Sequence, residues 1–315
     1  MNEYEKTQLL VNISKMYYEL NFSQQEISNR AGLSRTYISK LLNEARERGI
    51  VEIRIHDPIK AESHLEESLR RQYGLKKALV LPVVDSEPAL LDRLGSAAAE
   101  YLNMIIREDD IIGVGWGETL HAFSKAVIGR EDLKNIRVVQ LCGGVTKMNQ
   151  DTYVSDIPRN MARNLGGSCH LIPLPAVLES VTARNALMKD RNITEVLHLA
   201  RQTTIAVITV GVFVKENIFV SSGYFRENEI ERLKKAGAVG DICSHIINEH
   251  CEICDPQLEK RTVSVSLEDF INIPTKLCIA AGERKFKSLK AALAAGCIDV
   301  LVTNEKMAGE LLSER

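Results

Sequence analysis

The chain has 315 residues, of which 45% are hydrophobic and 26% are charged, a composition typical of globular proteins. At roughly 150 residues per domain, this length suggests about two domains. The formal net charge of -2 excludes a protein that is basic throughout, so any contact with nucleic acid must come from a local patch. The charged N-terminus lacks the apolar run of a signal peptide, and no segment reaches the ~18 apolar residues of a membrane span. Seven cysteines do not suggest a disulfide framework in so long a chain, and we expect a cytoplasmic protein without membrane contact.

The N-terminal part predicts three helices. Apolar residues recur at helical spacing through residues 5–20. Ser23 followed by Glu26 has the pattern of a capping box, and Gly32 predicts a left-handed end to the second helix. Ser34 is the expected N-cap of a third helix, whose buried face we assign to Ile38, Leu41, Leu42 and Ala45. Two helices joined by a short turn with a glycine form the arrangement of a helix-turn-helix.

The outward face of the third helix carries polar side chains. Donors at the start of such a helix can reach base edges in a major groove, and the start of the preceding helix can meet a phosphate. The predicted DNA-binding residues are Gln24, Gln25, Ser34, Arg35, Thr36, Tyr37, Ser39 and Lys40. The alternating segment at 50–58 predicts a short strand, or wing.

The alternative for this region is a small helical bundle whose polar face is only hydrated. Residues 1–55 contain eight Lys or Arg against seven Asp or Glu, which is a weak electrostatic footprint for DNA. Specific binding would therefore require a dimer or a larger oligomer, in which several weak half-site contacts add.

The remainder of the chain predicts an α/β domain. A charged helix at 61–75 is interpreted as a linker or an oligomerisation helix. Short apolar runs then alternate with helical segments, and these runs occupy residues 78–83, 111–117, 136–144, 169–176, 205–212, 276–282 and 300–304. Such alternation predicts a doubly wound, mostly parallel sheet with helices on both faces. We therefore predict a winged helix-turn-helix domain at 1–57 and an α/β domain at 58–315.

Three glycine-containing loops follow predicted strands, at the edge where parallel sheets bind ligands. The candidate residues are Gly115, Trp116, Gly117, Glu118 and Thr119 in the first loop, Gly143, Gly144 and Thr146 in the second, and Gly282 and Lys285 in the third. Lys285 offers a cation for a phosphate, and the second loop could cradle an anion. The spacing is not that of a dinucleotide fingerprint, so no nicotinamide cofactor is predicted. Tight turns without a ligand remain the alternative.

Two further segments contain residues that could bind a ligand or a metal ion. Asp241 lies in an apolar, glycine-flanked turn, where it either caps a following helix or meets a sugar hydroxyl. A loose cluster with one C-x-x-C comprises His245, His250, Cys251 and Cys254. Structural zinc usually requires two paired knuckles, so we predict no metal site. We interpret residues 251–265 as a strand, a turn around Pro256 and a return strand.

Several segments in a consistent order resemble one family. They are YYELNFSQQEISNRAGLSRTYISKLLNEARERGIVEIRI, DDIIGVGWGET, VVQLCGGV, AVGDIC, AAGERK and AALAAGCIDVLVTNEKMA. Over nearly its whole length the chain resembles the SorC/DeoR-type sugar-binding transcriptional regulators. The resemblance implies a DNA-binding N-terminal domain and an effector domain with the fold of sugar-phosphate isomerases and deaminases. It also implies a homotetramer or dimer of dimers, with double-stranded operator DNA and a phosphorylated sugar or polyol as partners.

The resemblance places the effector in the strand-end loops at Gly115–Thr119, Gly143–Thr146, Asp241 and Gly282–Lys285. In the deoxyribonucleoside-regulating members, a lysine before the paired glycines forms a Schiff base with an aldehyde sugar. The matching position here is Cys142, whose thiol cannot form an imine. We therefore expect the effector to bind reversibly. The resemblance to the deoxyribonucleoside-regulating members does not identify deoxyribose 5-phosphate as the effector of this chain.

The alternative function is a sugar-phosphate isomerase or deaminase with an appended N-terminal module. Such reactions require a carboxylate or lysine placed for proton transfer. Asp241 and Glu118 are candidates, but the sequence shows no convincing second acid–base partner. An enzyme would also have no use for a polar helix start such as the one at Arg35. A protein–protein adaptor would bind neither DNA nor sugar, so we expect a regulator and not an enzyme.

Overall fold

The computed structural model describes residues 3–51, 63–84, 86–130, 132–144, 153–214, 218–221 and 223–313. The chain divides into two compact units, Met1–Ala61 and Glu62–Arg315. Within the described ranges, no helix is both long and apolar enough to span a membrane. The predicted wing at 50–58 falls, apart from its first two residues, outside the described residues.

The N-terminal unit is helical. Its elements are α1 (Glu3–Ser14), a π-helical turn (Lys15–Glu19), α2 (Gln24–Ala31) and α3 (Arg35–Glu47). The predicted capping box is confirmed, because Ser23 and Glu26 each accept a hydrogen bond from the other's backbone N–H. Gly32 ends α2 at φ 67°, and the Ser34 hydroxyl accepts from the Tyr37 N–H at 3.2 Å. All four residues predicted on the inner face of α3 are buried, against Leu10, Ile13 and Ile27.

The second unit is an α/β structure. Its strands are β1 (Lys77–Leu81), β2 (Ile111–Val114), β3 (Arg137–Gln140), β4 (Ser168–His170), β5 (Ile205–Ile208), β6 (Gly240–Ile242), β7 (His245–Ile247), β8 (Thr275–Ile279) and β9 (Val300–Asn304). Its helices are α4 (His64–Tyr73), α5 (Glu87–Ile105), α6 (Glu118–Ala126), α7 (Asp156–Asn164), α8 (Val181–Leu187), α9 (Arg191–Arg201), α10 (Ile218–Ser221), α11 (Glu227–Lys235), α12 (Pro256–Glu259), α13 (Leu267–Ile271), α14 (Phe286–Ala294) and α15 (Glu305–Ser313), with a 3-10 turn at Glu283–Lys285.

The strands form a seven-stranded parallel sheet and a short ribbon. The order in the sheet is β1-β9-β8-β5-β2-β3-β4, and β6 pairs with β7 in an antiparallel ribbon. Each of the seven predicted apolar runs overlaps one strand of the sheet, which confirms an α/β fold with a mostly parallel sheet. The ribbon was not predicted as strands.

Both faces of the sheet are buried, which explains why its strands are apolar at successive positions. On β5, the side chain of Val207 enters a core cluster that contains Phe123 of α6. The next side chain, Ile208, enters a different cluster that contains Leu289 of α14. Alternate side chains of a strand point to opposite faces, so helices cover both sides.

Helix α4, which was predicted as a linker or oligomerisation helix, packs within the α/β unit. Its Leu69 side chain is fully buried. The Glu66 carboxylate accepts the backbone N–H of Val80 at 2.9 Å, and the Tyr73 hydroxyl donates to the carbonyl of Leu311 at 3.0 Å. These contacts fix α4 beside β1 and α15.

The predicted hairpin at 251–265 is wrong. Pro256 begins helix α12, and the Asp255 carboxylate accepts the N–H groups of Gln257 and Leu258 at 2.9 and 3.2 Å. Proline suits the first turn of a helix, so this segment forms a capped helical turn and no β-turn. The flanking residues pair with distant segments, in the bridges Ile253–Ile247, Thr262–Val177 and Ser264–Cys142.

Candidate functional site

The strand order creates a crevice at the carboxyl ends of β2 and β5. The chain leaves β2 towards β3 on one side, whereas β5 and β8 lie on its other side. Ligands of open α/β sheets bind at such a switch point. A cavity of about 1290 Å³ opens there, lined by the segments that follow β2, β5 and β8 and by the ribbon. The predicted residues that line it are Gly115, Trp116, Gly117, Glu118, Thr119, Cys142, Asp241, Gly282 and Lys285.

The loop after β2 contributes the start of a helix and a rigid wall. Gly117 has φ 120°, a conformation that side chains rarely adopt, and α6 begins at the next residue. The first turn of α6 leaves backbone N–H groups without intrahelical partners. Trp116 is fixed, because its indole N–H donates to the Gly143 carbonyl at 3.2 Å and its ring packs edge-to-face on Phe219.

Lys285 provides a cation in the cavity. It follows β8 and Gly282, and its Nζ donates to the Thr209 hydroxyl at 2.6 Å and to the Thr119 hydroxyl at 3.4 Å. Within the part of the chain that the structure describes, no carboxylate forms an ion pair with this ammonium group. Burial lowers the pKa of Lys285, and nearby acidic groups, including Asp241, partly oppose that shift. An anionic ligand could therefore supply the missing counter-charge.

Asp241 lies on β6, and the predicted helix cap is wrong because no helix follows. Cys243 and Ser244 both have positive φ, 48° and 71°, and form the turn into β7. The Ser244 N–H donates to the Asp241 carboxylate at 3.1 Å. A Cβ atom on Gly211 would lie 1.8 Å from Oδ1 of Asp241, so only glycine leaves room for this carboxylate.

The environment of Asp241 shifts its titration towards neutral pH. Burial raises the pKa of Asp241 to about 6, although the Ser244 N–H and the charges of His245 and Lys285 oppose the shift. Such a carboxyl group changes its charge within the physiological range of pH. It can donate a hydrogen bond below that pKa and only accept above it.

The paired glycines of the second loop differ from the predicted anion cradle. The Gly143 N–H donates to the Val263 carbonyl at 2.8 Å, and the Gly144 N–H donates to the Leu174 carbonyl at 3.0 Å. A Cβ on Gly143 would approach the carbonyl oxygens of Leu174 and Pro175 at 2.6 Å. These glycines permit close packing of the backbone. Their N–H groups already donate to protein carbonyls and so do not point at an anion. Thr146 lies outside the described residues.

Cys142 lies beside the ribbon and lines the cavity. Its thiol interacts with the thiol of Cys243 and with Ser244, and its backbone bridges to Ser264. The hydrogen bond with Cys142, together with burial, raises the pKa of Cys243 well above its ordinary value. The cavity thus presents thiol groups here and no amine.

Among the residues of the cavity that sequence reasoning missed are Thr209, Gly211 and Ser244. Thr209 could have been found, because it is a polar residue directly after the buried strand β5. Gly211 and Ser244 act through Asp241, and their importance depends on contacts between separate segments.

The N-terminal unit presents a polar helix start to solvent. Arg35, Thr36, Tyr37 and Lys40 are exposed, while Ile38 between them is fully buried. Neither Arg35 nor Lys40 forms an ion pair with any residue the structure describes. The other predicted DNA-binding residues have contacts within the protein or are half-buried. The Ser34 hydroxyl caps α3, Gln25 donates to Asn29, and Gln24 and Ser39 are half-buried.

Comparisons with known proteins extend over nearly the whole chain. A family model described as "Putative sugar-binding domain" matches residues 57–313. The deoxyribonucleoside regulator of Bacillus subtilis is 33% identical, over 98% of this chain and 99% of that protein. The sorbitol operon regulator of Klebsiella pneumoniae is 27% identical, over 99% of this chain and 100% of that protein. The crystal structure of the full-length sorbitol operon regulator SorC from Klebsiella pneumoniae matches with a TM-score of 0.82, covering 99% of this chain and 100% of that chain. The chain therefore belongs to the SorC/DeoR-type family of sugar-binding transcriptional regulators.

Proposed function

We propose that this regulator binds double-stranded operator DNA of a carbohydrate-utilisation operon and is controlled by reversible binding of a phosphorylated sugar or polyol. The proposal rests on one observation. This member of the family has both an exposed polar start of helix α3 and a cavity that contains Lys285 and Asp241. The relatives named as regulators of deoxyribonucleosides and of the sorbitol operon support a carbohydrate effector.

Helices α2 and α3 would act as a helix-turn-helix, with α3 in the major groove. Three residues separate the two helices, and Gly32 makes the left-handed turn between them. The first turn of α3 has no acidic residue, so Arg35, Thr36 and Tyr37 can approach phosphates and base edges without repulsion. The small positive charge of this domain favours several copies acting together, and we propose a homotetramer that reads more than one half-site.

The effector would bind with its phosphate near Lys285 and its hydroxyl groups near Asp241. An ammonium group held by the Thr119 and Thr209 hydroxyls, beside the start of α6, suits a phosphate dianion. The volume of about 1290 Å³ is ample for a phosphorylated pentose or hexose and associated water. Because Cys142 offers no amine, the effector binds at that position without an imine.

An enzymatic alternative is favoured by one feature, the presence of Asp241 and Lys285 in the same cavity. A carboxyl group with a pKa of about 6 and a buried amine are groups that move protons in sugar-phosphate isomerases or deaminases. The exposed start of α3 has no role in such a reaction. Incubation of the purified protein with pentose and hexose phosphates tests this point, and turnover that depends on Asp241 would support the enzyme.

A thermal-shift screen tests the proposed effector class. Ligands that bind the native state raise the unfolding midpoint by an amount that grows with the ratio of ligand concentration to Kd. We expect certain phosphorylated sugars or polyols to raise the midpoint, and their unphosphorylated counterparts to have a smaller effect. Equal shifts with both forms would contradict the phosphate assignment.

Replacing Gly211 with alanine should weaken effector binding roughly tenfold or more. The new Cβ would displace the Asp241 carboxylate, with which it clashes at 1.8 Å. Ligand titration measures this effect. The matched control is Gly309→Ala on α15, where an added Cβ meets nothing within 4 Å. Unchanged affinity in Gly211→Ala would mean that Asp241 does not contact the effector.

Effector affinity should depend on pH through Asp241. The ionised carboxylate accepts hydrogen bonds from sugar hydroxyls better than the neutral acid does, so affinity should fall about tenfold from about pH 7 to about pH 5. A phosphate group also titrates near this range. Titration of wild type and Asp241→Asn with the same ligand separates the two effects, and identical pH profiles would contradict the role of Asp241.

A further inference from the structure

Two cysteines from distant parts of the sequence are in contact inside the α/β unit. The Sγ atoms of Cys251 and Cys297 lie 3.6 Å apart. Both side chains are buried, with 7% and 0% of their surface exposed. Cys251 and Cys254 form the C-x-x-C of the sequence, whereas the structure places the Cys251 thiol against a residue 46 positions later.

The backbone around Cys251 directs this side chain inward from a surface turn. Cys251 has φ 61°, which is uncommon for a residue other than glycine and carries a conformational cost. Asn248 holds the turn, because its side-chain oxygen accepts the N–H groups of His250 and Glu252 at 2.9 Å. His250 and Glu252 are exposed, while the Cys251 thiol is buried. The Cys251 thiol therefore lies beneath exposed residues of this turn.

Of the two thiols, Cys297 is the one with a neighbouring cation, the ammonium group of Lys276. The hydrogen bond with Cys251 lowers the pKa of Cys297, burial opposes this shift, and the ammonium group of Lys276 supports it. The same hydrogen bond raises the pKa of Cys251. Thiolates react with oxidants, so the first step is assigned to Cys297.

The two cysteines follow elements that adjoin the cavity. Cys251 follows β7, whose partner strand β6 carries Asp241. Cys297 lies between α14 and β9, and α14 begins directly after Lys285. The ribbon already packs tightly on α14, since a Cβ on Gly240 would lie 2.5 Å from the Cβ of Ser288.

We propose that Cys251 and Cys297 are a site of reversible oxidation, at which a peroxide forms a disulfide that ties the β6–β7 ribbon to the α14–β9 connection. The Cys297 thiolate attacks a peroxide oxygen, so an S–O bond forms, the O–O bond breaks and hydroxide leaves. The Cys251 sulfur then attacks the sulfenic sulfur, forming the S–S bond and releasing the second oxygen as water. Two thiols lose two protons and two electrons, and hydrogen peroxide becomes two water molecules. The sulfur atoms must approach from 3.6 Å to about 2.05 Å for the bond to form.

Peptide mapping of the full chain tests the site. The reduced protein is treated with hydrogen peroxide, its remaining thiols are alkylated, and the cross-linked peptides are identified by mass spectrometry. We expect Cys251–Cys297 to be the main intramolecular cross-link and to disappear on reduction with dithiothreitol. A main cross-link at Cys251–Cys254 or Cys142–Cys243, or complete alkylation of all seven thiols after peroxide, would overturn the proposal.

Two further readouts test the tie between the ribbon and α14. Oxidation should raise the unfolding midpoint and slow hydrogen exchange of the β6–β7 amides, because a cross-link restricts opening. Both effects should vanish in Cys297→Ser and persist in Cys254→Ser. Equal effects of peroxide in both variants would overturn the proposal, and the mapping of the wild-type protein stands even if one variant folds poorly.

Discussion

Arg35→Ala is expected to weaken operator binding by about 5- to 150-fold while leaving effector binding intact. One arginine contact to a base edge contributes roughly 1–3 kcal/mol of discrimination, and Arg35 is an exposed cation at the start of α3. The operator is first isolated by selection from random duplexes, and affinity is then measured by fluorescence anisotropy at fixed salt, because phosphate contacts vary with salt.

Arg46→Ala is the matched control for Arg35. Arg46 is also exposed on α3 but lies in its last turn, where it donates to Asn43. Removing it should change operator affinity much less. Equal losses in both variants would indicate a general electrostatic effect, and a parallel loss of effector binding in Arg35→Ala would indicate misfolding. The first of these results would contradict the assignment of Arg35 to the groove.

Lys285→Met should remove most of the preference for phosphorylated ligands. Loss of one partner from a buried, hydrogen-bonded charge pair costs about 2–5 kcal/mol, which is roughly 30-fold or more in affinity. Methionine keeps much of the volume but lacks the ammonium group that the Thr209 and Thr119 hydroxyls hold. Calorimetric titration with a phosphorylated sugar and its unphosphorylated counterpart measures the difference.

Lys290→Met provides the control on the same helix. Lys290 lies over the ring of Phe286, 5.7 Å from its centroid, and does not line the cavity. The Lys290→Met variant should bind both ligands as tightly as the wild type does. If Lys285→Met loses affinity for both ligands to the same extent, Lys285 has no specific role towards phosphate.

Local signals in the sequence were sufficient for the helices and strands that depend on neighbouring residues. The predicted caps at Ser23, Gly32 and Ser34 are confirmed. They could be predicted because their hydrogen bonds join residues only a few positions apart in the chain. The strands of the sheet were equally predictable, because burial on both faces produces continuous apolar runs. The carboxyl end of β8 then located Lys285 at the cavity, whereas Asp241 was placed there by the family resemblance.

The incorrect predictions concern residues whose partners are distant in sequence. The segment at 251–265 contains β-branched residues, but its bridges go to residues 142, 177 and 247, and pairing of that kind leaves no local pattern. The glycines at 143 and 144 resemble an anion-binding loop, yet carbonyls of residues 174 and 263 use their N–H groups. The contact between Cys251 and Cys297 was hidden for the same reason.

Measurement of operator affinity with and without saturating effector, at fixed salt, tests the central claim most directly. If effector and operator favour different arrangements of the oligomer, their coupling should be about 1–3 kcal/mol, or roughly a 5- to 150-fold change in DNA affinity. Thermodynamic linkage requires that the operator change effector affinity by the same factor. The account predicts equal factors in the two titrations. Operator affinity that is the same with and without a tightly bound effector would contradict it.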